Sequence, residues 1–150
     1  MRRLLVLCSS ALLVFLVVGC GEGEVASGAR VSVYAAAPLC GEARAALREA
    51  GGKADDLAVR LVCPLPIQKK GGADLAVAGA DARRATEDSS AVAFLEAPSA
   101  AAEFTRSIVE SADLAWVKAG SGATAMRRVL RALEERGSST PRSAVLDQVG

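Results

Sequence analysis

Ala91-Val92-Ala93-Phe94-Leu95 is an unbroken apolar run of strand length, closed by Glu96-Ala97-Pro98. A strand with one wet face alternates apolar and polar side chains. A run with no polar face has to be covered on both sides, as in the interior of a parallel sheet, so the chain must supply helices for two faces. Val31-Ser32-Val33-Tyr34-Ala35, which precedes Pro38, has the β-branched and aromatic character of another strand. Leu57 to Cys63, stopped by Pro64 and Pro66, and Leu114 to Val117 supply two more.

Helical patterns fall between them. Ala43, Ala46, Leu47 and Ala50 are spaced i, i+3, i+4, i+7, and Gly51-Gly52 stops that pattern as a C-terminal cap. Leu75, Ala78, Ala82 and Ala85 trace one face of a helix from Asp74 to Glu87, after a polar loop from Gln68 to Gly72. Ser99 is placed as the N-cap of a third helix, with Glu103 in its first turn and Phe104, Ile108 and Ala112 as its buried stripe. Met126, Val129, Leu130 and Leu133 mark a fourth, ending at Gly137, and Thr140-Pro141 opens a short last one. Strands and helices alternate with short connections. The expected fold is α/β, an open parallel sheet with helices on both faces. Ligand groups in such a fold belong beyond the carboxyl ends of the strands, here Ala36 to Cys40, the loop after Cys63, Glu96 to Ser99, and Lys118 to Ser121.

The start of the chain sets an address. Arg2 and Arg3 precede an apolar stretch from Leu4 to Val18, and Leu16-Val17-Val18-Gly19-Cys20 has the form of a bacterial lipobox, followed abruptly by Gly21-Glu22-Gly23-Glu24. The stretch is short for a membrane span, which needs roughly 20 apolar residues. Residues 1–19 read as a lipoprotein signal peptide, residues 20–30 as a lipidated tether, and residues 31–149 as a single α/β lobe. Acylation of the Cys20 thiol predicts a mature protein anchored by lipid outside the cytoplasm of a bacterial cell. An ordinary secretory signal or an uncleaved signal anchor is the plainer alternative.

Composition excludes much. The net charge of +1 includes Arg2 and Arg3, so the remainder is near neutral and offers no field for nucleic acid. Aromatic residues make up 3% of the chain, too few to build stacking platforms for bases or sugars. Histidine is absent, which removes the usual general base, the commonest transition-metal ligand and every Ser-His or Cys-His pair. No catalytic residue, metal site or cofactor is therefore expected. With Cys8 in the signal and Cys20 lipidated, Cys40 and Cys63 remain as an even pair outside the reducing cytoplasm: a disulfide or two buried thiols.

Four further features have plain readings beside the functional ones. Gly120-Ser121-Gly122-Ala123-Thr124-Ala125 fits the dinucleotide pattern G-x-G-x-x-A, but it follows the fourth strand and no strand-ending acid comes about 20 residues later, so it reads as a helix entry. Arg127, Arg128 and Arg131 with Glu134 and Glu135 read as a wet helix face. Glu96, the carboxylate at a strand's carboxyl end, is either a contact for a cationic ligand group or a solvated loop acid. Ser99 and the amides after it, Ala100 first, suit a carboxylate, although capping alone also explains the serine.

Val31-Ser32-Val33-Tyr34 with Pro38-Leu39, then Asp81-Ala82-Arg83-Arg84-Ala85-Thr86-Glu87-Asp88, Val92-Ala93-Phe94-Leu95-Glu96 and Ser99-Ala100-Ala101 resemble the first lobe of extracytoplasmic substrate-binding proteins of ABC transporters, the branched-chain amino-acid type. Ala125 to Leu133 with Gly137 and Arg142 to Asp147 resembles the helix pair near that family's C-terminus. On this alignment the second lobe is missing between Ala119 and Gly122; a second alignment sets Gly122-Ala123-Thr124 against the family's ligand-binding turn. The resemblance implies a small amino-acid-like ligand with a serine near its carboxylate at Ser99; Ala100, Glu96 and Tyr34 are the other candidate contacts. It also implies an ABC permease as partner, or a homodimer partner that supplies the missing wall. A lipoprotein that keeps the lobe only as an interaction scaffold in the envelope is the alternative.

Overall fold

The computed structural model describes residues 30–64 and 75–150. The expectations for the signal peptide, Cys20, the tether before Arg30, the Gln68 to Gly72 loop and Asp74 lie outside the described residues. Among the described residues, no helix is long and apolar enough to cross a membrane.

The chain runs β1 (Arg30–Ala35), α1 (Cys40–Glu49), β2 (Lys53–Ala54), β3 (Leu57–Val62), α2 (Leu75–Glu87), β4 (Ala91–Glu96), α3 (Ala102–Glu110), β5 (Ala115–Lys118), α4 (Gly122–Glu134) and α5 (Pro141–Val149), with a 3-10 turn at Ala37–Leu39. The sheet order is β2-β3-β1-β4-β5. Every pairing is parallel except β2 with β3. The fold is thus α/β, a five-stranded, mostly parallel open sheet with five helices packed on it.

Burial follows the apolar pattern. All six residues of β4 are buried, as an interior strand requires. On one face Val31, Val33 and Leu95 pack against Ala43 and Leu47 of α1, Met126, Val129 and Leu133 of α4, and Val145 of α5. On the other, Tyr34, Phe94 and Leu114 meet Ala82 and Ala85 of α2 and Val109 of α3. The alanines let α1 lie close on α4. Gly122 makes the closest approach: a Cβ there would stand 2.1 Å from the Leu39 carbonyl oxygen and 3.0 Å from the Ala43 nitrogen.

Several boundaries follow local chemistry. Gly51 and Gly52, at φ +72° and +74°, donate to the Arg48 and Leu47 carbonyls and satisfy the end of α1. Thr140 caps α5 with Pro141 in the first turn. β2 was not anticipated, because two residues show no periodicity; it pairs as a short hairpin across Asp55, which adopts φ 52°. Arg136, only 11% exposed, pairs with Asp55 and Asp56 and fixes that turn to the end of α4.

The stripes of α2 and α3 differ from expectation. Leu75 is exposed and Gly79, Ala82 and Ala85 are buried, because the Phe104 ring lies over the bare Gly79 backbone. In α3 the buried residues are Ala102, Thr105 and Val109; Phe104 is 46% exposed, Ile108 is half-buried and Ala112 lies beyond the helix. The helix is turned by about one residue, roughly 100°. Thr105 points inward because a buried carboxylate, Glu96, accepts its hydroxyl proton.

Candidate functional site

The direction of winding reverses between β1 and β4. From β1 the chain passes through α1 on one face to β3; from β4 it passes through α3 on the other face to β5. The loops leaving these two neighbouring strands, 36–39 and 97–101, diverge and frame a crevice at the carboxyl end of the sheet. The Ala36 amide donates to the Leu95 carbonyl and holds the two loop origins together.

The N-termini of α1 and α3 open onto this crevice, and neither has a side-chain cap. α4 also begins at this end of the sheet, beside α1, but is capped by Ser121, and α5, which begins at the opposite end, is capped by Thr140. The Cys40 and Ala102 amides are held by the Ala37 and Ser99 carbonyls of the turns leading into the helices, so it is the positive end of each helix dipole that suits an anion here. Ser99 is not the cap of α3. Ala101 holds that position, and Ser99 instead accepts the Ala102 amide through its carbonyl, in a turn before the helix. This leaves the Ser99 hydroxyl without a hydrogen bond among the described residues, and Ser99 and Ala100 are both exposed.

Glu96 lies at the crevice floor but is not a solvated loop acid. It is 4% exposed and faces α3, where the Thr105 hydroxyl donates to Oε2 at 2.7 Å. Burial pushes its carboxyl above the usual range, against the opposing pull of Thr105 and the Ala97 amide. Its ladder neighbour Lys118 directs its ammonium to Glu103 at 3.7 Å. Glu96 therefore props α3 against the sheet from within.

Tyr34 stands apart from this group. Its hydroxyl donates to Asp88 Oδ2 at 3.0 Å, toward the amino end of β4. Asp88 also accepts from the Ser90 amide and hydroxyl and from Arg60, which reaches Ser32 as well. Burial alone would raise the Asp88 carboxyl; the bonds from Ser90, Tyr34 and Ser32 outweigh it and hold the group below its ordinary value. Burial, and then the bond to Asp88, raise the Tyr34 phenol. Arg142 closes the cluster by donating to the carbonyls of Asp88, Ser89 and Ala91. These groups fasten β1, β3 and α5 to the turn before β4. The contact expected of Tyr34 thus separates from Ser99, Ala100 and Glu96.

The disulfide expected as one of two possibilities is present. Cys40, the first residue of α1, joins Cys63 just beyond β3, with Cα atoms 6.0 Å apart. It ties the α1 side of the crevice to the neighbouring strand end. The glycine-rich motif has a different use from nucleotide binding. Ser121 donates its hydroxyl to Glu42 Oε2 at 2.6 Å, and the Glu42 carboxylate also takes the Gly122 and Ala123 amides, with its carboxyl held low first by Ser121. The N-terminus of α4 is thus filled by a carboxylate from α1. Glu42 lies 79 residues from Ser121, so no local pattern could have signalled the pairing. Arg127, Arg128, Arg131, Glu134 and Glu135 are exposed, and Arg127 pairs with Glu49 at 3.3 Å. Among the described residues, no group of three or more metal-ligating side chains comes together.

The chain matches no protein-family model, no curated protein and no solved structure. The resemblance to substrate-binding proteins thus stands on short motifs alone, in a fold that hosts many unrelated activities.

Proposed function

We propose that this chain is a lipid-anchored, extracytoplasmic solute-binding-protein-like domain of one lobe, without catalytic chemistry, whose crevice at the β1/β4 reversal takes the carboxylate of a small amino-acid-like ligand. One observation carries the reading: at the carboxyl end of the sheet the N-termini of α1 and α3 lack side-chain caps, while that of α4 is filled by Ser121 and Glu42. The Ser99 hydroxyl is the side-chain donor, set beside the positive ends of the two helix dipoles. The lipobox and the Cys40–Cys63 bridge support the compartment, since disulfides persist where thiols are not kept reduced. Cys20 holds the protein to the membrane, with an ABC permease or a second copy as its partner.

A single lobe offers one wall. It cannot close over a ligand and exclude water as a two-sided cleft does, and each tenfold in affinity is about 1.4 kcal/mol. Binding of branched-chain amino acids is expected to be no tighter than roughly millimolar, near −4 kcal/mol. Calorimetry of the mature lipoprotein in detergent against an amino-acid panel, with sizing of the same sample, tests this. Micromolar binding by a monomer would overturn the one-wall reading, and binding that appears only in a dimer would locate the second wall.

A scaffold role is the second reading. It is favoured by Leu75 and Phe104, 51% and 46% exposed on α2 and α3. If it holds, Phe104→Ser abolishes capture of an envelope partner and leaves amino-acid binding unaltered.

A further inference from the structure

Arg30 opens β1 at the amino end of the sheet, ten residues after Cys20. However that stretch is arranged, ten peptide units reach at most about 35 Å. A folded body of this size is itself about 35 Å across. We infer that the domain is held over the bilayer with the amino end of its sheet toward the lipid and the carboxyl-end crevice facing away. This rests on acylation of Cys20.

Reach enforces the orientation, and charge sets how closely the amino end approaches the lipid. Turning the crevice toward the lipid would lift Arg30 to the far side of the body, and the connecting residues would have to span its whole height near full extension. Few chain conformations satisfy that, so the inverted arrangement carries a large entropic cost.

Each helix that follows a parallel strand returns to the amino end, where the loops 49–57, 87–91, 110–115 and 134–143 gather. These loops carry nine carboxylates and three cationic side chains; three of the carboxylates pair with arginines outside the loops, Glu49 with Arg127, Asp88 with Arg60 and Glu110 with Arg106, and Arg30 adds a further cation, so the end remains acidic only modestly. The crevice loops 36–42, 97–103 and 118–122 carry two carboxylates and one lysine. The residual acidic charge is repelled by anionic headgroups within a Debye length, about 8 Å at physiological salt; this opposes close contact, so the tether rather than charge keeps this end toward the lipid, and it stands off the surface without adsorbing. The crevice is thereby offered to solutes and partners arriving from the aqueous side rather than to groups embedded in the bilayer.

Energy transfer from a site-specific dye to headgroup-labelled lipid tests this on the full lipidated protein in vesicles of phosphatidylethanolamine and phosphatidylglycerol. The dye is attached through Ser138→Cys at the amino end or Gly120→Cys at the crevice end. Both positions are exposed, and a Cβ at Gly120 meets nothing within 4 Å. Ser139→Cys and Ala100→Cys serve if either variant fails to fold. The strands separate the two ends by about 20 Å, so transfer from position 138 should exceed that from position 120 at least about threefold. It should rise further when salt screens the repulsion. Equal or reversed transfer in protein whose mass confirms the acyl chains overturns the orientation. A decrease or no change with salt overturns the stand-off. Absence of acyl chains from the mass overturns the anchoring itself and is distinguished from the other outcomes by that mass.

Discussion

Cutting the Cys40–Cys63 bridge should cost about 3 kcal/mol. The two cysteines are 23 residues apart, and the closed segment holds α1, β2 and β3. In the chain-entropy model a cross-link over that span removes about 11 cal/mol/K from the unfolded chain, or about 3 kcal/mol at 25 °C. Cys63→Ser is the cleaner substitution, because Cys63 is half-buried whereas Cys40 is 8% exposed inside the core, where a hydroxyl would add its own penalty. Trp116 is the chain's single tryptophan and packs on the α3 side of the sheet, so its fluorescence reports unfolding. With a urea slope of about 1.5 kcal/mol/M, typical of a domain this size, the midpoint should fall by about 2 M. Wild type treated with reductant should fall to the same midpoint, and the variant should not respond to reductant at all. A reductant-insensitive wild type together with an unchanged midpoint in Cys63→Ser would refute the reasoning.

Three further substitutions separate packing from charge. Glu96 has a folded-state pKa above its unfolded value, so the native state binds the extra proton and stability falls as pH rises from about 4.5 through the folded value. Glu96→Gln keeps an acceptor for Thr105 and should flatten that slope; urea midpoints from pH 4 to 8 should show it equal to wild type at the acid end and more stable at neutrality. Gly122→Ala sets a Cβ against fixed backbone of α1 and should lose about 1–3 kcal/mol in chemical denaturation. In Gly79→Ala the obstructing atom is the free edge of the exposed Phe104 ring, 2.7 Å away, which can swing aside, so its loss should be the smaller of the two.

What the sequence made legible was local. The run Ala91–Leu95 announced a covered strand, Gly51-Gly52 announced the end of α1, and the stripe Met126, Val129, Leu130, Leu133 is buried throughout. α3 was misphased because apolarity ranks Phe104 above Thr105, while the fold reverses them through a bond to Glu96. The same blindness to distance hid the pairing of Ser121 with Glu42 and of Tyr34 with Asp88, 54 residues apart. Ser99 was placed beside the crevice by the strand-to-helix turn, but its assignment as a cap failed because Ser99 to Ala101 form a turn ahead of α3. Cys40 and Cys63 could be paired in principle from the neighbouring strands, yet only the packing of α1 brings their Cα atoms within 6.0 Å.

The most direct test of the central claim is a titration of the ¹⁵N-labelled mature protein in detergent with leucine, followed amide by amide. If the uncapped ends of α1 and α3 bind the carboxylate, shifts in fast exchange should gather at residues 36–41 and 99–104, saturating only at millimolar ligand. The amides of Gly122 and Ala123, already held by Glu42, should stay fixed. No movement at residues 36–41 and 99–104 up to tens of millimolar, or shifts gathered at another end of the fold, would contradict the account.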